Sequence, residues 1–313
     1  MININDKLNK NKMDLQLVSD HWGLKSNESL EYRNQISWMD YPLIQGEYLN
    51  SRYSDNLSCN WLDYIKKKYV SREFKNGLSL GCGSGGLERH AIGINICEYF
   101  DAFDCSEDAI LAAKKLAINQ GILERVDYYV CDINKICLEK EKYDIAFACM
   151  SAHHFSELEW IFDQVKSSLK PGGYFILNEF VGPNQFQWTD KQLNIANKLL
   201  KILPTRYKES ISNPGVYKNE IIKSTIEEMN LLDPSEAIRS SDIYSCIKEH
   251  FLIIWEDFYG GTILHLLLND IVGNFNIDLE ADRALIRILC EYEKQLIDNN
   301  VLPSDFMLLV SKK

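Results

Sequence analysis

The chain has 313 residues, 46% of them hydrophobic and 25% charged, with a net charge of −11. That balance excludes a disordered chain, which needs few apolar residues and a high charge per residue. The acidic excess argues against a protein built to grip a nucleic-acid backbone, and the length supports one large domain with appendages.

Residues 1–75 are polar but rich in aromatics, with Trp22, Tyr32, Trp38, Tyr41, Tyr48, Tyr53, Trp61 and Tyr64. They read as a helical N-terminal cap of short helices and loops. The opening MININDKLNKNK has no apolar core of a secretory signal, and no run of about 18 apolar residues is present to cross a membrane. Nine cysteines, an odd number without a CxxC pair, suggest neither a disulfide framework nor a zinc ribbon. The expectation is a reduced, cytoplasmic protein.

Residues 76–180 change texture. Short apolar runs at 78–80, 99–103, 126–131, 145–149 and 174–177 alternate with helical periodicity at 106–120 and 157–169. Strand and helix at this rhythm mean βαβ units around a parallel sheet. Residues 181–238 break the rhythm with Pro183, Pro204, Pro214 and Pro234 and a helix near 191–202, a helical insertion after the fifth strand. The rhythm returns over 239–313, with a helix at 242–249, a strand at 251–256, helices over 262–299 and a strand at 305–311. This predicts an α/β fold with a doubly wound, seven-stranded sheet, mostly parallel, whose last strand is antiparallel.

The segment LSLGCGSGGLE joins the first strand to a helix. Gly81, Gly83 and Gly86 satisfy GxGxxG, and Gly81, Gly83 and Gly85 satisfy GxGxG. Glycines there let the backbone turn sharply and approach a ligand at the carboxyl end of the strand. Two readings follow: a tight βα turn, or a nucleotide-binding loop. The second strand ends in Asp104, 23 residues after Gly81, where a carboxylate can accept hydrogen bonds from two ribose hydroxyls. The third ends in Asp132-Ile133, an acid that suits an adenine amino group beside an apolar residue that covers the ring. A nicotinamide oxidoreductase would use the same glycine loop but has no need of Asp132.

The glycine loop, Asp104, Asp132, Tyr143-Asp144-Ile145, Ala152-His153-His154 and Leu169-Lys170-Pro171-Gly172-Gly173 occur in the order found in class I methyltransferases dependent on S-adenosylmethionine (SAM). The chain resembles that family over about residues 77–179. More loosely it looks like bacterial members that tailor small molecules, glycans or natural products. The resemblance implies a Rossmann-like core and SAM as cofactor, with S-adenosylhomocysteine (SAH) as product. It implies Gly81, Cys82, Gly83, Gly85, Asp104, Cys105, Asp132, Ile133 and Met150 as the cofactor-binding set. One departure is Ser79, which stands where the family usually has an acid two positions before the first glycine.

Methyl transfer from a sulfonium needs alignment and exclusion of water, and an alcohol acceptor must also lose a proton. His153, His154 and Glu179, at the ends of the fourth and fifth strands, are the candidate catalytic residues. Each has a plainer alternative, the histidines as loop packing and Glu179 as an acceptor of loop amides. Arg33, Tyr41, Arg52 and Trp188 are candidates for lining the acceptor pocket. No Asp/Asn set for a metal stands out, so no metal is expected. The expected activity is methyl transfer to a small-molecule, sugar or natural-product acceptor on oxygen, with nitrogen as the alternative. A SAM-fold protein that only binds remains a third class. No nucleic-acid partner is expected.

Overall fold

Seven strands alternate with helices in the computed structural model of the protein, which describes residues 16–19 and 36–313. Short turns at Trp38–Asp40, Ile44–Leu49 and Asn50–Arg52 lead to α1 (Trp61–Tyr69). The chain continues through β1 (Phe74–Leu80), α2 (Gly86–Gly93), β2 (Cys97–Asp104), α3 (Glu107–Asn119), β3 (Val126–Val130), β4 (Tyr143–Cys149), α4 (Leu158–Ser168) and β5 (Leu169–Phe180). After β5 come α5 (Asp190–Ile202), α6 (Ile226–Leu232) and α7 (Ile243–His250). The last elements are β6 (Leu252–Gly260), α8 (Leu264–Leu268), α9 (Glu280–Asp298) and β7 (Phe306–Lys312).

The strand order is β3-β2-β1-β4-β5-β7-β6. Strands β1 to β5 pair in parallel, and β7 runs antiparallel to both β5 and β6. The seven-stranded, mostly parallel sheet expected from the sequence is therefore present. The order reverses between β1 and β4, and the carboxyl ends of the strands at such a switch point are where open α/β sheets bind ligands.

The central strands are buried on both faces, as parallel strands are when helices cover both sides. Successive side chains of a strand point to opposite faces. Thus Phe306, Leu308 and Val310 of β7 pack with Ile286 and Leu289 of α9, while Met307 and Leu309 pack with Phe162 and Val165 of α4 and Ile247 of α7. Phe162 is fully buried, and sequestering such a side chain stabilises by about 1.5–3 kcal/mol.

Local chemistry fixes the helix starts. The Ser106 hydroxyl accepts from the Ala109 N–H at 3.3 Å to open α3. Thr189 and Gln192 cap α5 reciprocally. One segment is irregular. Leu169–Gly173 lies inside β5, with Leu169 paired to Tyr143 and a register shift before Ile145 meets Tyr174. Pro171 has no N–H to give the ladder, and Gly172 has φ +76°, so the strand bulges there rather than ending.

Candidate active site

A cavity of about 870 Å³ opens at the carboxyl ends of β1, β2 and β4. Gly81, Gly83, Asp104, Asp132, Met150 and His154 are among the residues on its wall.

The glycine loop is built for close approach. Gly81, Gly83 and Gly85 have φ of +68°, +52° and +74°, the left-handed region that costs other residues strain. A Cβ on Gly81 would stand 2.4 Å from the Ser151 Cβ, so this glycine lets β1 pack against the loop after β4. A Cβ on Gly83 would meet no atom of the described residues within 4 Å. Since Gly83 lines the cavity, the side chain would enter it. Gly85 differs: it is the N-cap of α2, and a Cβ there would strike the Tyr128 hydroxyl at 2.4 Å. It stands off the cavity wall and serves the turn.

Asp104, at the end of β2, is buried. Its Oδ2 accepts from the Gly83 N–H at 2.8 Å and its Oδ1 from the Ser106 N–H at 2.9 Å. Burial raises its pKa against those amides, which pull it down. One bond per oxygen leaves acceptor capacity, since a carboxylate offers about four lone-pair sites. Asp132 accepts the Asn134 N–H at 3.1 Å and pairs with the exposed Lys135 ammonium at 2.6 Å. Ile133 beside it is buried on the same wall, with Cys82 and Cys105. Met150 has φ +51°, and its N–H donates to the Asn178 carbonyl at 2.8 Å, so this strained residue is held on the rim.

The position that departs from the family, Ser79, is buried. Glu88, in the first turn of α2, is fully buried close to it, and neither carboxylate oxygen makes a hydrogen bond of ordinary geometry. Burial lifts its pKa to about 7, with the Ser79 hydroxyl, its own amide and Arg89 opposing. The sequence reading passed over Glu88. An acid seven residues after the first glycine, on a helix turn facing the sheet, was the available signal.

Another part of the cavity wall is shaped by the loop after β4. Glu179 is fully buried. Its Oε1 accepts the Ser151 and Ala152 N–H groups at 2.7 and 2.6 Å, and its Oε2 lies 2.8 Å from His153 Nδ1. It thus holds the loop and one imidazole from behind the wall. Burial disfavours the charged form of His153, but Glu179, with Glu236 and Asp233, outweighs it and raises the pKa above the ordinary value. His154 lines the cavity, and its Nδ1 is 2.9 Å from the Ser235 hydroxyl.

The expected acceptor-pocket residues sit elsewhere. Tyr41 is buried and donates its hydroxyl to the Phe275 carbonyl at 3.0 Å. Arg52 is bound by both oxygens of Asp257, at 2.7 and 2.5 Å, because a guanidinium's fork matches a carboxylate. Trp188 stacks on Phe186, ring centroids 5.0 Å apart. None of these three is on the cavity wall, and Arg33 lies outside the described residues. In their place the insertion supplies Pro234, Ser235 and Ile238.

An open Cβ position at the glycine loop, a carboxylate with spare lone pairs and an acid beside an apolar ring cover together fit an adenosine group carrying a chain toward the loop. Residues 78–177 match the family described as methyltransferase domain. A sterol 4-C-methyltransferase of Caenorhabditis elegans is 26% identical over 57% of this chain and 51% of its own length. A malonyl-[acyl-carrier protein] O-methyltransferase of Ilyobacter polytropus is 24% identical over 59% of this chain and 65% of its own. The chain therefore spans less than two thirds of either relative. Among solved structures, the phosphoethanolamine N-methyltransferase 2 of Haemonchus contortus in complex with SAM has the same fold. Its TM-score is 0.50 at 16% identity, covering 89% of this chain and 60% of that one. Sequence match, sheet order and loop geometry agree: residues 78–177 form a methyltransferase domain of the class I SAM-dependent kind.

Proposed function

We propose that the protein moves a methyl group from SAM to a small-molecule acceptor, on oxygen. The observation that carries this reading is one cavity with two unlike sets of residues on its wall. The glycine loop and Asp104 make up one set, and His154 with Pro234, Ser235 and Ile238 of the insertion the other. SAM, when bound, supplies an electrophilic methyl group on a sulfonium.

This chain's residues do the rest. Gly81 and Gly83 would let the methionine portion lie against the backbone, Asp104 would accept from the ribose hydroxyls, and Asp132 with Ile133 would hold the adenine. Glu179 positions the acceptor side by fixing two loop amides and the His153 ring. An acceptor held between those two sets is aligned and shielded from water, the main demand of an in-line displacement. A rim that carries the His154 imidazole and the Ser235 hydroxyl suits a hydroxyl acceptor, which must be oriented and must give up a proton. The relatives' names span carbon, oxygen and nitrogen acceptors, so the choice of oxygen rests on the rim.

Thermal shift with SAM, SAH and NADH tests the cofactor half. SAM and SAH should each stabilise the fold, by about 2.7 kcal/mol at a hundredfold excess over Kd, and NADH should not. SAH release across a panel of hydroxyl, amine and sterol acceptors tests the other half. Turnover confined to amines or to carbon would overturn the assignment to oxygen.

A further inference from the structure

Two histidines of the loop after β4 and a carboxylate of the insertion converge beside the cavity. One ligand atom from each of His153, His154 and Glu236 lies within 4.8 Å of the others, and His153 Nε2 is 3.6 Å from Glu236 Oε1.

The hydrogen bonds behind these rings fix their orientation. His153 Nδ1 faces the Glu179 carboxylate, whose other oxygen already takes two amides. A carboxylate in that position accepts, so Nδ1 carries the proton and Nε2 is the acceptor nitrogen of the neutral ring. On the other side, the Ser235 hydroxyl donates to Asp233 Oδ1 at 2.7 Å. It therefore accepts from His154 Nδ1 at 2.9 Å, and again Nε2 is the acceptor nitrogen. Each imidazole is thus backed by a carboxylate, His153 directly and His154 through a serine. That outer shell is the one metal-bound histidines have, because it fixes the tautomer and makes the ligating nitrogen more basic. The Ile238 N–H donates to the His153 carbonyl at 3.0 Å, which ties the segment carrying Glu236 to the histidine loop.

Resting on the reading of the cavity as a methyl-transfer site, we propose that His153 Nε2, His154 Nε2 and the Glu236 carboxylate bind a divalent transition-metal ion of the zinc type, whose remaining coordination takes an oxygen of the methyl acceptor. Two imidazoles and one carboxylate are a donor set for such an ion rather than for calcium or magnesium, which prefer oxygen throughout. His154 and Ser235 lie on the cavity wall, so an acceptor oxygen in the cavity stands next to the ion. This set contains two imidazoles rather than the Asp/Asn oxygens whose absence led to the expectation of no metal, and its third ligand lies 82 residues beyond His154.

The test uses the full chain without a polyhistidine tag. Zinc binding is measured by competition with a chromophoric chelator, and the visible absorption of Co²⁺ reports imidazole ligation. One ion per chain is expected. Glu179→Gln and Ser235→Ala, which remove outer-shell partners, should each weaken it about 10–100-fold, and Glu236→Gln should weaken it more. Circular dichroism checks that each variant folds, and Glu236→Gln, which keeps the size and shape of the side chain at this largely buried position, guards against a variant lost to misfolding. Zinc binding that is absent in the wild type, or unchanged in Glu236→Gln and His154→Ala, overturns the proposal. SAM affinity by calorimetry is read separately. Its loss would sink the methyl-transfer reading while leaving the zinc stoichiometry to stand or fall alone.

Discussion

Nδ1 of His153 lies 2.8 Å from Oε2 of Glu179, and this contact joins the end of β5 to the loop that follows β4. The carboxylate sets the loop's shape through two amides and the ring's orientation through the third bond. The cavity wall around His154 is therefore organised by a residue that does not reach it.

Glu179→Gln should consequently lower the His153 pKa. The carboxylate is the chief influence raising it against burial, so its loss leaves burial dominant. Titration of the imidazole by ¹H–¹⁵N NMR measures the shift. An unchanged pKa would mean that the pair does not form in solution.

Asp104→Asn keeps an oxygen for the Gly83 amide but removes the charge that would meet the ribose hydroxyls. Hydrogen bonds to charged groups are worth about 1.5–3 kcal/mol, so the Kd for SAM should rise about 10–100-fold. Calorimetry reads it directly, and wild-type affinity would remove Asp104 from the cofactor site.

Gly81 and Gly83 should separate folding from binding. Gly83→Val places its side chain in open cavity, so it should keep the circular dichroism spectrum, with about 1–2 kcal/mol of left-handed backbone strain, and lose SAM. Gly81→Val drives a side chain into Ser151 and should destabilise the fold as well. Equal melting temperatures for the two variants would contradict the geometry.

Glu88 gives a stability signature with pH. Its folded pKa, about 7, lies above the ordinary 4.5, so between those values the folded state keeps a proton that the unfolded chain has released. The stability this group contributes is present in full below about pH 4.5 and is lost as pH rises through about 7. Relative to wild type, Glu88→Gln should gain on the order of 1–3 kcal/mol between about pH 5 and pH 8. Urea unfolding at both pH values tests this, and a constant difference would show that Glu88 titrates normally.

The sheet was legible because its strands are short apolar runs bounded by glycine and acid, and the glycine loop because φ above zero restricts the choice of residue. Glu179 and the histidines stood out as candidates by their place at strand ends, but which of them touches the cavity depends on loop curvature that no residue pattern encodes. Tyr41, Arg52 and Trp188 misled for a common reason. Each is a residue type at home in ligand pockets, yet each is satisfied inside the protein, by the Phe275 carbonyl, the Asp257 carboxylate and the Phe186 ring. Ser235 and Glu236 were invisible because a long insertion brings them back to the rim, and their partners lie some 80 residues away in sequence.

The place of β7 between β5 and β6 constrains how the molecule assembles. Phe180 pairs with Phe306, 126 positions further along the chain, so the ladder along β5 closes late, after β1 to β5 can already have joined. During that interval β5 presents an unpaired edge bearing side chains destined for the interior, a template for a second copy of the same strand. Refolding from denaturant should therefore lose yield steeply as protein concentration rises, with the losses concentrated in the time before β7 docks.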